Sequence, residues 1–144
     1  MKSYQWDALM IKDKILVVED DESILFNLKL SLEMNGFQVI SASNGKIAYE
    51  LLKDASTTSS LPNLILSDIM MPEMDGYELF NFVKSNNSLN QISFIFISAK
   101  CYPDDIKLGK NFGVDDYITK PINEEVLLNT INRKLHKIKE TIMK

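Results

Sequence analysis

Side chains that could do chemistry follow four of the short apolar runs in this chain. Three acidic residues, Glu19–Asp21, follow the first run, and a further carboxylate, Asp68, follows the third. Ser98 ends the fourth run, and Lys120 comes just after the fifth. The carboxyl ends of parallel strands meet at one edge of a sheet, where open α/β proteins bind their ligands. The pattern therefore predicts a cluster of carboxylates, one hydroxyl and one ammonium group.

A cluster of this kind suits the transfer of a phosphoryl group. Carboxylates that lie close together repel each other unless a cation neutralises them. Mg²⁺ binds carboxylate oxygens, keeps several waters and accepts phosphate oxygens from a substrate. Lys120 would add a positive charge to the same phosphate and Ser98 a hydrogen-bond donor. The set is what metal-assisted phosphoryl transfer to a carboxylate needs: a nucleophile, a metal and donors for the phosphoryl oxygens.

Each of these residues taken alone has a more ordinary explanation. A single Asp after a strand is common in turns. Acidic residues also stabilise the start of a helix, which would account for Glu19–Asp21 without any ligand. A lone Ser98 or Lys120 carries no functional information. Only their joint occurrence at successive strand ends favours the chemical interpretation.

The elements that must position these residues alternate between two patterns. Short apolar runs, typical of strands buried on both faces of a parallel sheet, occupy Ile15–Val18, Val39–Ala42, Leu64–Leu66, Ile92–Ile97 and Tyr117–Ile118. The segments between and after them have apolar residues at helical spacing, beginning at Ile24, Ile47, Leu79, Ile106 and Leu127. The order predicts an α/β fold, (βα)₅, in which a doubly wound, five-stranded parallel sheet has helices on both faces.

Helix boundaries can also be predicted. Asn35-Gly36 is a typical C-terminal signal for the first helix. Asn123 is a suitable N-cap for the last helix, and Glu124 and Glu125 complement its dipole. The polar stretch Ala55–Asn63 is predicted to be a loop, long for a connection of this kind.

Composition restricts the class of protein. The chain has 144 residues, enough for one domain with a sizeable core, and its net charge is −4. An acidic chain of this kind has no electrostatic footprint for nucleic acid or anionic lipid. The single cysteine, Cys101, cannot form an internal disulfide, and no apolar run approaches the roughly 20 residues of a membrane span. We therefore expect a cytoplasmic protein that binds neither nucleic acid nor membrane.

Four segments of the chain resemble the receiver domains of two-component response regulators. They are KILVVEDDE at 14–22, LILSDIMMPEMDG at 64–76, ISAK at 97–100 and GVDDYITKP at 113–121. The similarity covers about residues 13–140. It implies a single receiver domain at 13–144 with the flavodoxin-like strand order 2-1-3-4-5, preceded by an N-terminal extension at 1–12. That extension, with Trp6, Leu9 and Met10, is either a frayed end or a segment that docks on a partner.

The resemblance also implies a role for each acidic residue. Asp68 matches the phosphoacceptor, and Glu19 and Asp20 match the acidic pair after the first strand. Asp20 would bind Mg²⁺ directly and Glu19 through water, while Met70 would offer its backbone carbonyl to the metal. Asp21 matches no ligand and is expected to start the helix.

Three further roles follow from the same resemblance. Ser98 matches the hydroxyl that contacts the phosphoryl group, and Lys120 matches the phosphate-binding lysine, with a cis peptide bond to Pro121. Tyr117 matches an aromatic residue that changes rotamer with Ser98, because movement of Ser98 vacates space for a ring. From composition alone, Tyr117 would be a half-buried strand aromatic.

The implied function is a phosphorylation switch in signal transduction rather than an enzyme, since the domain would catalyse only its own phosphorylation and dephosphorylation. Mg²⁺ is the expected cofactor, and Mn²⁺ is expected to substitute. The expected partners are a sensor histidine kinase or phosphotransfer protein and a downstream effector. A phosphorylation-dependent homodimer through the fourth and fifth helices and the fifth strand is a further expectation, motivated by a heptad-like stripe on the last helix at Ile131, Leu135, Ile138 and Ile142. The alternative is that this stripe is simply a core face.

Three other classes of protein fit less well. A haloacid-dehalogenase-like phosphatase needs an Asp two residues after the nucleophile, where this chain has Met70. A flavodoxin-like flavin binder needs a phosphate loop after the first strand, where Glu19–Asp21 would repel the phosphate. A pseudo-receiver, which is not phosphorylated, would not need the complete set of site residues.

Overall fold

Strands form where the chain carries uninterrupted Ile, Leu, Val and Phe. The computed structural model describes residues 13–55, 60–99 and 116–143, with side chains up to residue 136. The strands are β1 (Lys14–Val18), β2 (Gln38–Ala42), β3 (Leu64–Asp68), β4 (Ser93–Ser98) and β5 (Asp116–Thr119). They pair in parallel in the order β2-β1-β3-β4-β5. This confirms the predicted doubly wound sheet and its strand order.

The first and last helices begin at residues predicted to start or cap them, and the first ends at the predicted Asn35-Gly36 signal. The described helices are α1 (Glu22–Met34), α2 (Gly45–Ala55), α3 (Gly76–Ser85) and α4 (Glu124–Met143). Asp21 caps α1 by accepting a hydrogen bond from the backbone amide of Ile24, and Asn123 does the same for Val126 at the start of α4. The turn after α1 places Gly36 at φ +91°, a conformation that favours glycine. The helical pattern at Ile106, Leu108 and Phe112 lies outside the described residues.

The core consists of two layers, one on each face of the sheet. Helices α1 and α4 cover one face and contribute Leu28, Leu32, Leu127, Ile131 and Leu135. Helices α2 and α3 cover the other and contribute Ala48, Leu52, Leu79, Phe80 and Val83. Alternate residues of each central strand point into each layer, which is why those strands are apolar throughout.

Three details differ from the sequence-based expectation. Only the central strands are buried on both faces, whereas Val39 and Ile40 of the edge strand β2 are half-buried. Strand β3 continues past Leu66 to Asp68, because backbone pairing with β4 does not depend on side-chain polarity. Strand β4 begins after Ile92, whose amide donates to the preceding turn.

The apolar stripe of α4 is a core face over its first half. Ile131 and Leu135 are buried against the sheet, so the part of the stripe nearest the site is not available to a second subunit. Ile138 and Ile142 lie beyond the described side chains. Within the described ranges, none of the helices has the length and hydropathy to cross a membrane.

Candidate functional site

The carboxyl edge of the sheet brings together the acidic residues that follow β1 and β3. One carboxylate oxygen from each of Glu19, Asp20 and Asp68 lies within 4.8 Å of the others. Strands β1 and β3 are neighbours in the sheet, and the chain crosses from one side of β1 to the other at this point. The cluster therefore occupies the crevice at which open α/β sheets bind ligands.

Asp68 presents two carboxylate oxygens in different surroundings. The residue is only 7% exposed. Its Oδ1 accepts a hydrogen bond of 2.8 Å from the backbone amide of Ile69, and its Oδ2 lies 3.3 Å from Lys120 Nζ. The backbone thus fixes the carboxylate at the strand end, while a flexible lysine side chain faces the second oxygen.

Glu19 is fully buried beside Lys120. Its backbone amide donates to Ala42 and so continues the β1–β2 pairing. Its Oε2 accepts from the amide of Asp21 at 3.0 Å. Its Oε1 lies 2.8 Å from Lys120 Nζ as an ion pair, yet this oxygen has no aligned hydrogen bond within the described part of the chain. Glu19 therefore keeps an acceptor atom available in the site.

The charges in this cluster shift two pKa values. Burial raises the pKa of Glu19, and the contacts with Lys120 and the Asp21 amide only partly oppose that effect. Burial by itself would lower the pKa of Lys120, but the adjacent Glu19 carboxylate and the charge of Asp68 outweigh it and raise the pKa. Lys120 is therefore held as a cation between two carboxylates.

The end of β5 positions Lys120. Its backbone amide donates to the carbonyl of Ser98 at 2.9 Å, and its peptide bond to Pro121 is cis, as predicted. Ser98 pairs with Thr119 across the β4–β5 ladder and is buried. In the β3–β4 register, Asp68 pairs with Ile97, the residue just before Ser98. Ser98 and Lys120 therefore lie at the same edge of the sheet as Asp68.

The loop after β3 packs tightly beneath the site. The amide of Gly76 donates to the Ile69 carbonyl at 2.7 Å, and a β-carbon on Gly76 would contact the carbonyl oxygen of Asp68. A β-carbon on Gly45, at the start of α2, would likewise contact the Met74 carbonyl. Sequence reasoning missed both glycines, although Gly76 at the start of a helix pattern was a signal. Met70, in the same loop, is 67% exposed.

Tyr117 is half-buried and packs against the core layer of α2 and α3. Its ring centroid lies 5.5 Å from that of Phe96 in β4, and Phe96 lies 5.2 Å from Tyr77 in α3. Neither Phe96 nor Tyr77 was singled out in the sequence. The contacts link the residue predicted to change rotamer to the helix that begins beneath Asp68.

The donor atoms fit a hard divalent cation. Among the four residues that meet here, Glu19, Asp20 and Asp68 bring three negative charges and Lys120 one positive charge, which leaves two uncompensated. The oxygen ligands and the unaligned Oε1 of Glu19 are what Mg²⁺ or Mn²⁺ would bind.

Several known proteins resemble this chain in sequence. Protein PilH of Pseudomonas aeruginosa is 34% identical over 122 residues, which cover 85% of this chain and 97% of PilH. The alkaline phosphatase synthesis transcriptional regulatory protein PhoP of Bacillus subtilis is 41% identical over 110 residues. The transcriptional regulatory protein CpxR of Escherichia coli is 36% identical over 125 residues. The match covers only 43% of PhoP and 50% of CpxR, so this chain spans about half of each.

Solved structures show the same fold. The signal receiver domain of a histidine kinase from Syntrophus aciditrophicus aligns with a TM-score of 0.77 and 36% identity, over 88% of this chain and 92% of that one. A CheY-like receiver domain protein from Methanospirillum hungatei aligns with a TM-score of 0.81 and 28% identity, over 91% and 99%. The family model of the response regulator receiver domain matches residues 15–132. On these grounds the chain belongs to the response regulator receiver domain family.

Proposed function

We propose that this receiver domain accepts a phosphoryl group on Asp68 and that the modification changes its affinity for a signalling partner. The observation that supports this most is the convergence of Lys120, Glu19 and Asp20 on the carboxylate of Asp68. A buried carboxylate at a strand end, with a cation at 3.3 Å, has the surroundings of a nucleophile for phosphoryl transfer.

The proposed reaction moves the phosphoryl group from a donor to an oxygen of Asp68. For a phosphohistidine donor, an oxygen–phosphorus bond forms and the phosphorus–nitrogen bond breaks, with the imidazole leaving. Lys120 balances the negative charge on the phosphoryl oxygens, and Ser98 donates a hydrogen bond to one of them. A divalent cation held by Glu19, Asp20, Asp68 and the backbone carbonyl of Met70 would neutralise charge between donor and acceptor.

Intact mass spectrometry tests the acceptor. Incubation with acetyl phosphate and Mg²⁺ should add the mass of one phosphoryl group to the wild type and none to Asp68→Asn. Asp54→Asn, at an exposed position on α2, is the matched control and should behave like the wild type. A full mass increment on Asp68→Asn would refute the assignment.

Thermal unfolding tests the metal ligands. A cation that binds only the native state raises the melting temperature. Asp20→Ala should raise the melting temperature of the metal-free protein, because it relieves repulsion, and should reduce the further rise on adding Mg²⁺. Glu22→Gln, at the first residue of α1, is the control and should leave the Mg²⁺ response unchanged. An Asp20→Ala variant that responds to Mg²⁺ like the wild type would exclude Asp20 as a ligand.

The switch is proposed to couple Ser98 to Tyr117. Movement of Ser98 towards the phosphoryl group would open space for the Tyr117 ring, whose contact with Phe96 supports a packed inward position. Tyr117→Ala should therefore leave phosphorylation intact while weakening the partner response. Ser98→Ala should slow phosphorylation itself, which separates the two roles.

The proposed phosphoryl donor is a sensor histidine kinase or phosphotransfer protein. The proposed downstream partner is an effector that responds to the phosphorylated domain. Acting only on its own Asp68, the domain would be a signalling module rather than an enzyme. The proposed location is the cytoplasm, and neither nucleic acid nor membrane is a proposed direct partner. Residues 13–144 are proposed as the receiver domain and residues 1–12 as an extension.

Phosphorylation-dependent self-association stays a prediction. The burial of Ile131 and Leu135 excludes the first half of the α4 stripe as its contact surface. Sedimentation of the wild type with and without a stable phosphoryl mimic tests it, and a monomer in both states would contradict it.

A further inference from the structure

An apolar stripe lies on the solvent side of α1. Phe26, Leu30 and Met34 follow each other at a spacing of four residues and are 65%, 46% and 78% exposed. Residues four apart lie on one face of a helix, and the buried Leu28 and Leu32 lie on the opposite face. We call Phe26, Leu30 and Met34 the α1 stripe. A single exposed apolar residue is ordinary, but a row of three marks an interaction surface.

Asp13, the first described residue, lies beside this stripe. The carbonyl of Asp13 accepts a hydrogen bond of 2.9 Å from the amide of Gln38, the first residue of β2. Strand β2 starts just after α1, through a turn in which the Phe37 amide donates to Leu32. Asp13 therefore lies next to the C-terminal end of α1, where Met34 lies.

The length and composition of residues 1–12 suit the α1 stripe. The segment reads MKSYQWDALMIK and includes Trp6, Leu9, Met10 and Ile11. The stripe spans nine residues of helix, with roughly 12 Å between its first and last residues. Twelve residues reach about 40 Å when extended, or about 18 Å as a helix. Either length is enough to reach Phe26 from Asp13.

We propose that residues 1–12, which lie outside the described residues, dock on the α1 stripe of the same chain, with Trp6 as the main contact. A tryptophan removes a large apolar area from water, and thioether groups such as that of Met34 pack well against aromatic rings. The docked segment covers the helix that starts at the acidic cluster, because Asp21, the cap of α1, directly follows Glu19 and Asp20.

Trp6 makes the proposal directly measurable, because it is the only tryptophan in the chain. Its fluorescence in the wild type should be shifted to shorter wavelength, relative to N-acetyltryptophanamide, and protected from acrylamide quenching. The combined variant Phe26→Gln, Leu30→Gln, Met34→Gln should lose both the shift and the protection. Gln keeps a high helix propensity, so α1 should still form.

A matched control uses the second helix. Ile47 and Leu51 of α2 are also exposed apolar residues four apart. The variant Ile47→Gln, Leu51→Gln should keep the Trp6 fluorescence of the wild type. Circular dichroism and phosphorylation by acetyl phosphate show that each variant is folded.

A variant in the N-terminal segment tests the same contact without changing α1, so its result does not depend on the stability of that helix. Leu9→Gln, Met10→Gln leaves the helix unchanged and should also release Trp6 to solvent.

Three results would overturn the proposal. The first is a wild-type Trp6 as exposed as free N-acetyltryptophanamide. The second is protection that survives in the stripe variant or is lost in the α2 control, because the segment would then dock elsewhere. The third is a loss of Trp6 protection on dilution, combined with a dimer detected by sedimentation at higher concentration. The α1 stripe would then be occupied by the N-terminal segment of a second copy of the chain.

Discussion

Lys120 Nζ lies 2.8 Å from Oε1 of Glu19, a closer approach than the 3.3 Å that separates it from Oδ2 of Asp68. The lysine follows β5 and the glutamate follows β1, so the two residues are far apart in the sequence. A buried carboxylate needs a cation or a proton, and here the lysine supplies the cation. In the metal-free protein, Lys120 is therefore part of the fold as well as of the proposed phosphate site.

Lys120→Met should destabilise the metal-free protein. It leaves Glu19 buried without its cation, and leaving a buried acceptor unpaired costs about 1–3 kcal/mol. The lower end is expected, because the lysine side chain is partly exposed and Glu19 can take up a proton. Urea unfolding in a chelator measures the effect, with Lys46→Met at an exposed position as the control. Equal stability of the two variants would contradict this role.

The raised pKa of Glu19 predicts a pH dependence of stability. Because the folded-state pKa lies above the unfolded value, the contribution of protonated Glu19 is fully present below the unfolded pKa. It is lost as the pH rises through the folded pKa. Glu19→Gln mimics the protonated form at every pH.

The measurement is urea unfolding of wild type and Glu19→Gln in a chelator, from acidic to neutral pH. The variant should become more stable relative to the wild type as the pH rises. Glu50→Gln, an exposed position on α2, should track the wild type throughout. Parallel curves for Glu19→Gln and the wild type would show that Glu19 titrates normally.

Two glycine substitutions should separate stability from reactivity. Gly36→Ala places a β-carbon in open space but at positive φ, which costs about 1–2 kcal/mol. It lies far from Asp68 in the fold and should leave the phosphorylation rate unchanged. Gly76→Ala should lower stability and also slow phosphorylation, because the new methyl group displaces the Asp68 backbone. Both properties are measured on the same samples, by unfolding and by intact mass. A Gly76→Ala variant phosphorylated at the wild-type rate would show that Asp68 tolerates the shift.

The phosphoryl group on Asp68 should be long-lived. In receiver domains the residues two after the phosphoacceptor and two after the hydroxyl can orient the attacking water, and here they are Met70 and Lys100. Met70 is apolar and exposed beside the site, so it cannot hold that water, while Lys100 can donate to it but cannot accept its proton. Lys100 lies outside the described residues.

Met70→Asn should accelerate loss of phosphate by up to roughly a hundredfold, the low end of the effect of a positioned acid–base group. Release of labelled phosphate measures the rate, and Met34→Asn, at an exposed methionine on α1, is the control. A wild type that loses phosphate as fast as Met70→Asn would refute the prediction.

Much of this protein follows from local pattern. Strand and helix periodicity, the caps at Asp21 and Asn123, and the turn at Gly36 each depend on residues close in the chain. Local physical chemistry therefore determines them. In a parallel sheet, residues that follow the strands lie at one edge. The sequence alone therefore predicted that Asp68, Glu19, Asp20 and Lys120 form one cluster.

Only the tertiary structure determined the contacts between segments that are distant in the sequence. Periodicity does not reveal that Lys120 pairs more closely with Glu19 than with Asp68, because that depends on how β5 and β1 end relative to each other. Nor does it show that Gly76 lies against the Asp68 carbonyl. The α4 stripe is the clearest case, since helical spacing is the same for a core face and a dimer face. Only the packing of Ile131 and Leu135 on the sheet distinguishes the two, because burial is a property of what lies opposite a side chain.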